Sequence, residues 1–196
     1  MAAPVLRADA ARNLELILEA AEAVFAEKGH EACVADIATR AGVGQATIFR
    51  RFETKDDLIA AVFERKMEKM VAVAESAQRK RRAWDGLMEF MATATQLHVQ
   101  DRGFFQSMAQ QLMEKQHLVE MKMRAKEAMG GLVERAKAEG DLRADIAIED
   151  VPAFCCAAAQ AAQMGPSPSS RASKRYLAVM TDGMRAPRHS RTELPA

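Results

Sequence analysis

The chain has 196 residues, 49% of them hydrophobic and 28% charged, a globular composition with enough apolar material for a sizeable core. The formal net charge is +1, and residues 1–55 carry seven Lys or Arg against eight Asp or Glu, so bulk charge lends nucleic-acid binding no support. No apolar stretch approaches the roughly 20 residues of a membrane span, the first residues lack the apolar run of an export signal, and three cysteines form no disulfide framework; a reducing cytoplasm is expected.

Runs rich in β-branched residues with two-residue alternation are missing, which predicts an all-α chain of about nine helices. From Asp9 to Lys28, Leu14, Ile17, Leu18, Ala21, Val24 and Phe25 recur at helical spacing, and Gly29 follows as a C-cap. A short helix fits Val34–Ala41, Gly42-Val43-Gly44 interrupts it, and another fits Gln45–Arg51. Thr54-Lys-Asp-Asp57 resembles a capping box and opens a long fourth helix carrying Leu58, Ile59, Val62, Phe63, Met67, Met70, Val71 and Ala74. Arg79-Lys-Arg-Arg82 marks a junction, more simply a solvated turn than a phosphate-binding patch. Behind it, helices are expected near Trp84–Val99, Phe104–Glu114, Leu118–Ala138, Val151–Met164 and Ala172–Arg185, with a disordered tail over 186–196. Gly130-Gly131 inside one of them calls for a kink beside a cavity or a close helix contact.

Two short helices joined by a tight glycine turn, with a longer helix packed across them, form a helix-turn-helix over about 33–52. Ile37, Ala38, Val43 and Ile48 can bury together, while Gly42 supplies the positive φ of the turn. Gln45, Thr47, Arg50 and Arg51 then face outward. Gln can pair with an adenine edge, Arg with guanine, and the Thr methyl with thymine. Gln45 and Arg50 are the candidate base readers, with Arg51 and Lys55 better placed for phosphates.

The segment Asn13–Val62, with LEAAEAVFAEKG followed by VADIATRAGVGQATIFRRFETKDDLIAAV, resembles the TetR family of transcriptional regulators. Ile37-Ala38, Ala41-Gly42-Val43, Phe52, Lys55 and Leu58 match its usual pattern. The resemblance implies a DNA-binding set of Gln45, Ala46, Thr47, Phe49, Arg50, Arg51 and Lys55. Three residues depart from the pattern. Cys33 stands where the family has Ser or Thr, Gly44 where Ser is frequent, and Phe49 where Tyr is common. The expected organisation is a DNA-binding domain over 1–55, a connecting helix and junction over 56–82, and a ligand-binding and dimerisation domain over 83–185. The resemblance further implies a homodimer through the last two helices, for which the small residues of Phe154–Ala162 are suited. It implies repression at a double-stranded operator and release by a small apolar or amphipathic effector that swings the fourth helix.

Met88, Met91, His98, Phe105, Met108, Met121 and Met129 are the candidate pocket lining, although methionines at helical spacing are more often simple core. Adjacent helical residues point about 100° apart, so Cys155-Cys156 makes a poor chelate and reads as structural. HExxH, GxSxG and phosphate-loop patterns are missing and the histidines are isolated, so neither catalysis, a cofactor nor a metal is expected. Two other readings remain open at this point: a helical ligand-binding or scaffold protein with a degenerate DNA-binding motif, kept alive by Cys33 and Phe49, and a regulator that answers to a protein partner.

Overall fold

A computed structural model of the chain describes the backbone of residues 3–100, 116–164 and 170–186; every regular element among them is helical, with one isolated bridge between Leu142 and Arg185. In chain order these are α1 (Ala3–Lys28), a 3-10 turn (Gly29–Glu31), α2 (Val34–Ala41), α3 (Gln45–Phe49), α4 (Lys55–Gln78), α5 (Ala83–Gln100), α6 (Gln116–Ala138), α7 (Asp150–Met164) and α8 (Ser170–Met184). Helix α1 starts at Ala3, earlier than the expected Asp9. The expected helix at Phe104–Glu114 and the tail from 187 lie outside the described residues. Described residues up to Arg65 form one compact unit and those from Lys66 onward a second, so the division falls inside α4.

The first unit is built around Ile17, Phe25, Ile37, Ile48, Leu58 and Val62, all withdrawn from solvent. Burying each such side chain stabilises the unit by about 1.5–3 kcal/mol. The stripe on α1 meets α2, and α2 meets α3 across the glycine turn. The start of α2 is held from both sides. Asp36 accepts hydrogen bonds from the Cys33 backbone N–H (3.2 Å) and thiol (3.0 Å), and its other oxygen takes Lys28 Nζ at 2.6 Å. The Cys33 backbone N–H at the N-cap is thus satisfied by the Asp36 carboxylate three residues on. At the start of α4, Thr54 and Asp57 close a reciprocal box: Asp57 N–H donates to Thr54 Oγ1 (3.1 Å) and Thr54 N–H to Asp57 Oδ2 (3.1 Å).

In the second unit α5 is central and packs on α6, α7 and α8. Leu87, Met91, Leu132, Val133, Cys155, Ala158 and Met184 are buried between these helices. The end of α4 is tied to α6 by two side chains, one from each helix. Arg135 donates to the carbonyls of Gln78 (2.8 Å) and Lys80 (3.1 Å), satisfying acceptors that a helix C-terminus leaves open. Gln78 Nε2 in turn donates to Ala128 O at 2.9 Å. Lys80 pairs with Glu89 (2.6 Å) and Arg82 with Asp141 (2.9 Å), so two of the four junction cations are engaged in local ion pairs. The Gly130-Gly131 pair faces side-chain ends at close range. A Cβ on Gly131 would lie 2.9 Å from Gln78 Nε2, and one on Gly130 would lie 3.2 Å from Ile148 Cδ1.

The tightest approach is at Gly86, where a Cβ would collide with the Ala77 carbonyl oxygen and reach Leu132 Cδ2 at 3.0 Å. A carbonyl on a helix backbone cannot swing aside as a side chain can. Gly86→Ala is expected to destabilise the second unit by about 1–3 kcal/mol, read as a lower denaturant midpoint, even though alanine is the better helix former. Its three hydrogen bonds pull the Asp36 carboxyl down from 3.8 to about 2, Lys28 contributing most. An acid weakened by unfolding binds its proton first in the unfolded state, so this contribution is present above about pH 4 and is lost as pH falls from there toward 2. Asp36→Asn should flatten that part of the acid dependence of the melting temperature, while leaving the slope above pH 5 unchanged.

Candidate nucleic-acid interface and ligand cavity

The turn between α2 and α3 is set by Gly42, which has φ +68° and closes the end of α2, while Val43 N–H donates to Ala38 O at 3.1 Å. Ile48 is 1% exposed and sits on the inner side of α3. Regular α-helix runs only from Gln45 to Phe49, shorter than the expected Gln45–Arg51. Arg51 and Phe52 still donate to the Ile48 carbonyl, both at 2.9 Å, so the chain keeps turning past the helix end.

The opposite side of α3 is open to solvent. Gln45, Ala46, Arg50 and Arg51 are exposed, Phe49 is 48% exposed, and Thr47 is half-buried. Arg50 lies back along its own helix, with Nε donating to Ala46 O (3.2 Å) and Nη2 to Thr47 Oγ1 (3.3 Å). Lys55, half-buried in the first turn of α4, donates from Nζ to His30 O at 2.8 Å. The structure thus brings six of the seven expected DNA-facing residues to one stretch of surface, and anchors the seventh, Lys55, to the turn after α1.

Ion pairing shows where positive charge is left over. Lys28 is neutralised by Asp36, Arg40 by Glu27 at 2.7 Å, and Arg65 by Glu15 (3.0 Å) and Glu19 (3.3 Å). Arg50, Arg51 and Lys55 form no ion pair with the described residues. A unit whose net charge is slightly negative therefore still presents unpaired cations around α3.

In the second unit a cavity of about 350 Å³ opens between helices. Met67 and Met70 of α4 and Phe90 of α5 line it, with Ala125 and Met129 of α6, Ile148 just before α7 and Pro152 in its first turn. Its charged lining is Lys122, Lys126 and Glu149. Of the residues expected from sequence to line a pocket, Met129 does so. Met91 is fully buried in the core, Met88 packs against that core, and His98 and Met121 are half-buried without lining this cavity. Phe105 and Met108 lie outside the described residues. Met67 and Met70 were recognisable as an apolar stripe on the fourth helix, but nothing in their spacing distinguishes a cavity wall from core.

Cys155 is fully buried, its thiol donating to Met91 O at 3.6 Å, and burial pushes its pKa up to about 12. It stays a protonated, unreactive thiol at neutral pH. Among the described residues no group of His, Cys, Asp and Glu is arranged to hold a metal. On the outer sides of α7 and α8, Met164, Tyr176 and Val179 remain exposed, at 88%, 38% and 68%.

The same two-part organisation is found on comparison with known proteins. Residues 17–62 match the model for bacterial regulatory proteins of the tetR family, and residues 82–186 that for the SbtR-like transcriptional regulator C-terminal domain. No curated protein matches the chain. Among solved structures, a TetR transcription regulatory protein from Mycobacterium vanbaalenii is 28% identical, with a TM-score of 0.67 over 92% of this chain and 99% of that one. The TetR-like regulator LfrR from Mycobacterium smegmatis, in complex with proflavine, is 24% identical, with a TM-score of 0.68 over 88% of this chain and 96% of that one. The regulator FadR from Bacillus subtilis, in complex with stearoyl-CoA, is 20% identical, with a TM-score of 0.62 over 87% and 99%. The glycine-turned pair α2–α3 and the helical unit behind it both fall within matched segments, and the chain belongs to the TetR family of DNA-binding transcriptional regulators.

Proposed function

We propose that the protein is a cytoplasmic repressor that reads a pseudo-palindromic operator as a homodimer and is released by a small apolar or amphipathic ligand. The observation that carries the DNA reading is the outer side of α3, where Gln45, Thr47, Arg50 and Arg51 cluster and both arginines are free of carboxylate partners. Gln45 and Arg50 serve as base readers, and Arg51, Lys55 and the N-terminus of α4 as phosphate contacts. To reach a guanine edge, Arg50 gives up its weak bonds to Ala46 and Thr47. Phe49 has no hydroxyl for a phosphate, and its exposed ring offers apolar contact instead.

Dimerisation through α7 and α8 is supported by the exposed Met164, Tyr176 and Val179 and by the small Ala153 and Ala157 on the outer side of α7. A dimer places two α3 helices on successive major grooves about 34 Å apart. Ligand release is supported by the cavity, whose walls include Met67 and Met70 of α4. Two fold neighbours were solved with ligands, proflavine in one and stearoyl-CoA in the other. An occupant that displaces α4 alters the spacing of the two reading helices. Among the described residues no helix is long and apolar enough to cross a membrane.

Selection of bound duplexes from a random pool tests this reading. It should enrich an inverted repeat; failure to enrich any sequence at low salt would favour a scaffold with a degenerate motif. On the selected operator, Arg50→Ala should weaken binding by about 1–3 kcal/mol and relax selectivity at one base position. Arg51→Ala should weaken all sequences alike and lower the salt slope by about one. Unchanged selectivity in the Arg50 variant would remove it from the readers.

A further inference from the structure

The cavity beside α4 combines two kinds of lining. Its body is thioether, aromatic and aliphatic: Met67, Met70, Phe90, Met129 and Ile148. Such walls offer an occupant no hydrogen bonds and favour an apolar body, which methionine side chains can refit around. The charged groups come from α6 and from the segment entering α7, and they do not balance. Lys126 is paired with Glu149 at 3.0 Å, which spends both charges on each other. Lys122 stands one turn earlier on the same side of α6, exposed at its outer end, and forms no ion pair with the described residues. Among the described residues the charged side chains of the lining therefore sum to one unmatched positive charge.

We propose that this cavity selects ligands with an apolar body and one anionic head, a monocarboxylate, with Lys122 receiving the head and the Met67–Met70–Phe90–Met129 walls receiving the tail. This rests on the ligand-responsive reading above and specifies the chemistry of its site. The Lys126–Glu149 pair has a second consequence. Neutral overall, it leaves the Lys122 ammonium as the charge that discriminates, so a cationic head is disfavoured there. A neutral alcohol of the same length keeps the apolar contact and loses the head contact. Lys122 lies at the outer end of the cavity, so its contribution to affinity is the modest one of a partly solvated charge.

Titration calorimetry of the full chain with three probes of equal tail, decanoate, decanol and decyltrimethylammonium, tests the proposal. Decanoate should bind about threefold more tightly than decanol, and decyltrimethylammonium most weakly. Lys122→Gln, an exposed substitution, should erase the advantage of decanoate over decanol without changing decanol binding. Lys122→Glu should invert the order of the two charged probes, which a merely structural role for the lysine would not do. Met70→Trp, filling the cavity, should abolish binding of all three. Equal binding of decanoate and decanol, indifference to Lys122→Gln, or no binding by any probe would each overturn the proposal. Duplex selection on the same preparation separates the failures: an enriched operator with no charge preference sinks the ligand class alone, and no operator at all sinks the regulator reading.

Discussion

Helix α3 has five residues, far below the length at which a helix survives in water by its own hydrogen bonds. It exists because Ile48 is buried where α3 packs on α2, and because Gly42 takes a positive φ that delivers the chain to that place. The outward side chains inherit their direction from this single inward one. Gln45, Phe49 and Arg50 point to solvent because Ile48 does not. Loss of that anchor would cost more than its own transfer energy, since the turn that presents the polar tips has no other reason to stay helical.

A similar logic governs α4, which carries no glycine or proline between Lys55 and Gln78. Its first turn is closed by the Thr54–Asp57 box, and its last carbonyl accepts from Arg135. Beyond its end the chain turns sharply into α5, and the approach is so close that only glycine fits at position 86. The consequence for the cavity is direct. Met67 and Met70 are held on a helix whose C-terminal end is tied to α6 twice, by the Arg135 side chain on the Gln78 carbonyl and by the Gln78 side chain on the Ala128 carbonyl. A wall fixed in this way responds to an occupant as a unit.

What was legible in the sequence follows from how local each feature is. The turn at Gly42, the stripe on α1 and the capping box at Thr54 depend on residues within a few positions of one another, and each formed where pattern alone placed it. Most helix limits in the second unit also fall within two residues of expectation, because the apolar spacing is regular. The cavity was not legible. Its walls come from α4, α5, α6 and the segment before α7, and methionine looks the same in a core as beside a void. Met91 illustrates the failure: it satisfies every sequence criterion for a pocket residue and is sealed inside the α5–α7 contact. Charge misled in the opposite direction. The slightly negative N-terminal total conceals Lys28 and Arg40 cancelling against neighbouring carboxylates, while the cations around α3 keep no carboxylate partner among the described residues. Only three-dimensional pairing reveals that.

The proposed ligand response carries a thermodynamic bound. A ligand shifts the balance between DNA-competent and released arrangements only by its difference in affinity for the two, however tightly it binds either. Contacts to α5 and α6 alone would be the same in both and would contribute affinity without any response. The contacts that can differ are those to an element that moves, and among the lining residues these are Met67 and Met70. In such a site the lysine head contact and the methionine contacts have separate roles: the first decides which molecule is accepted, the second how strongly its presence is felt at the operator. Reciprocity then requires bound operator DNA to weaken the ligand by the same factor that the ligand weakens the operator.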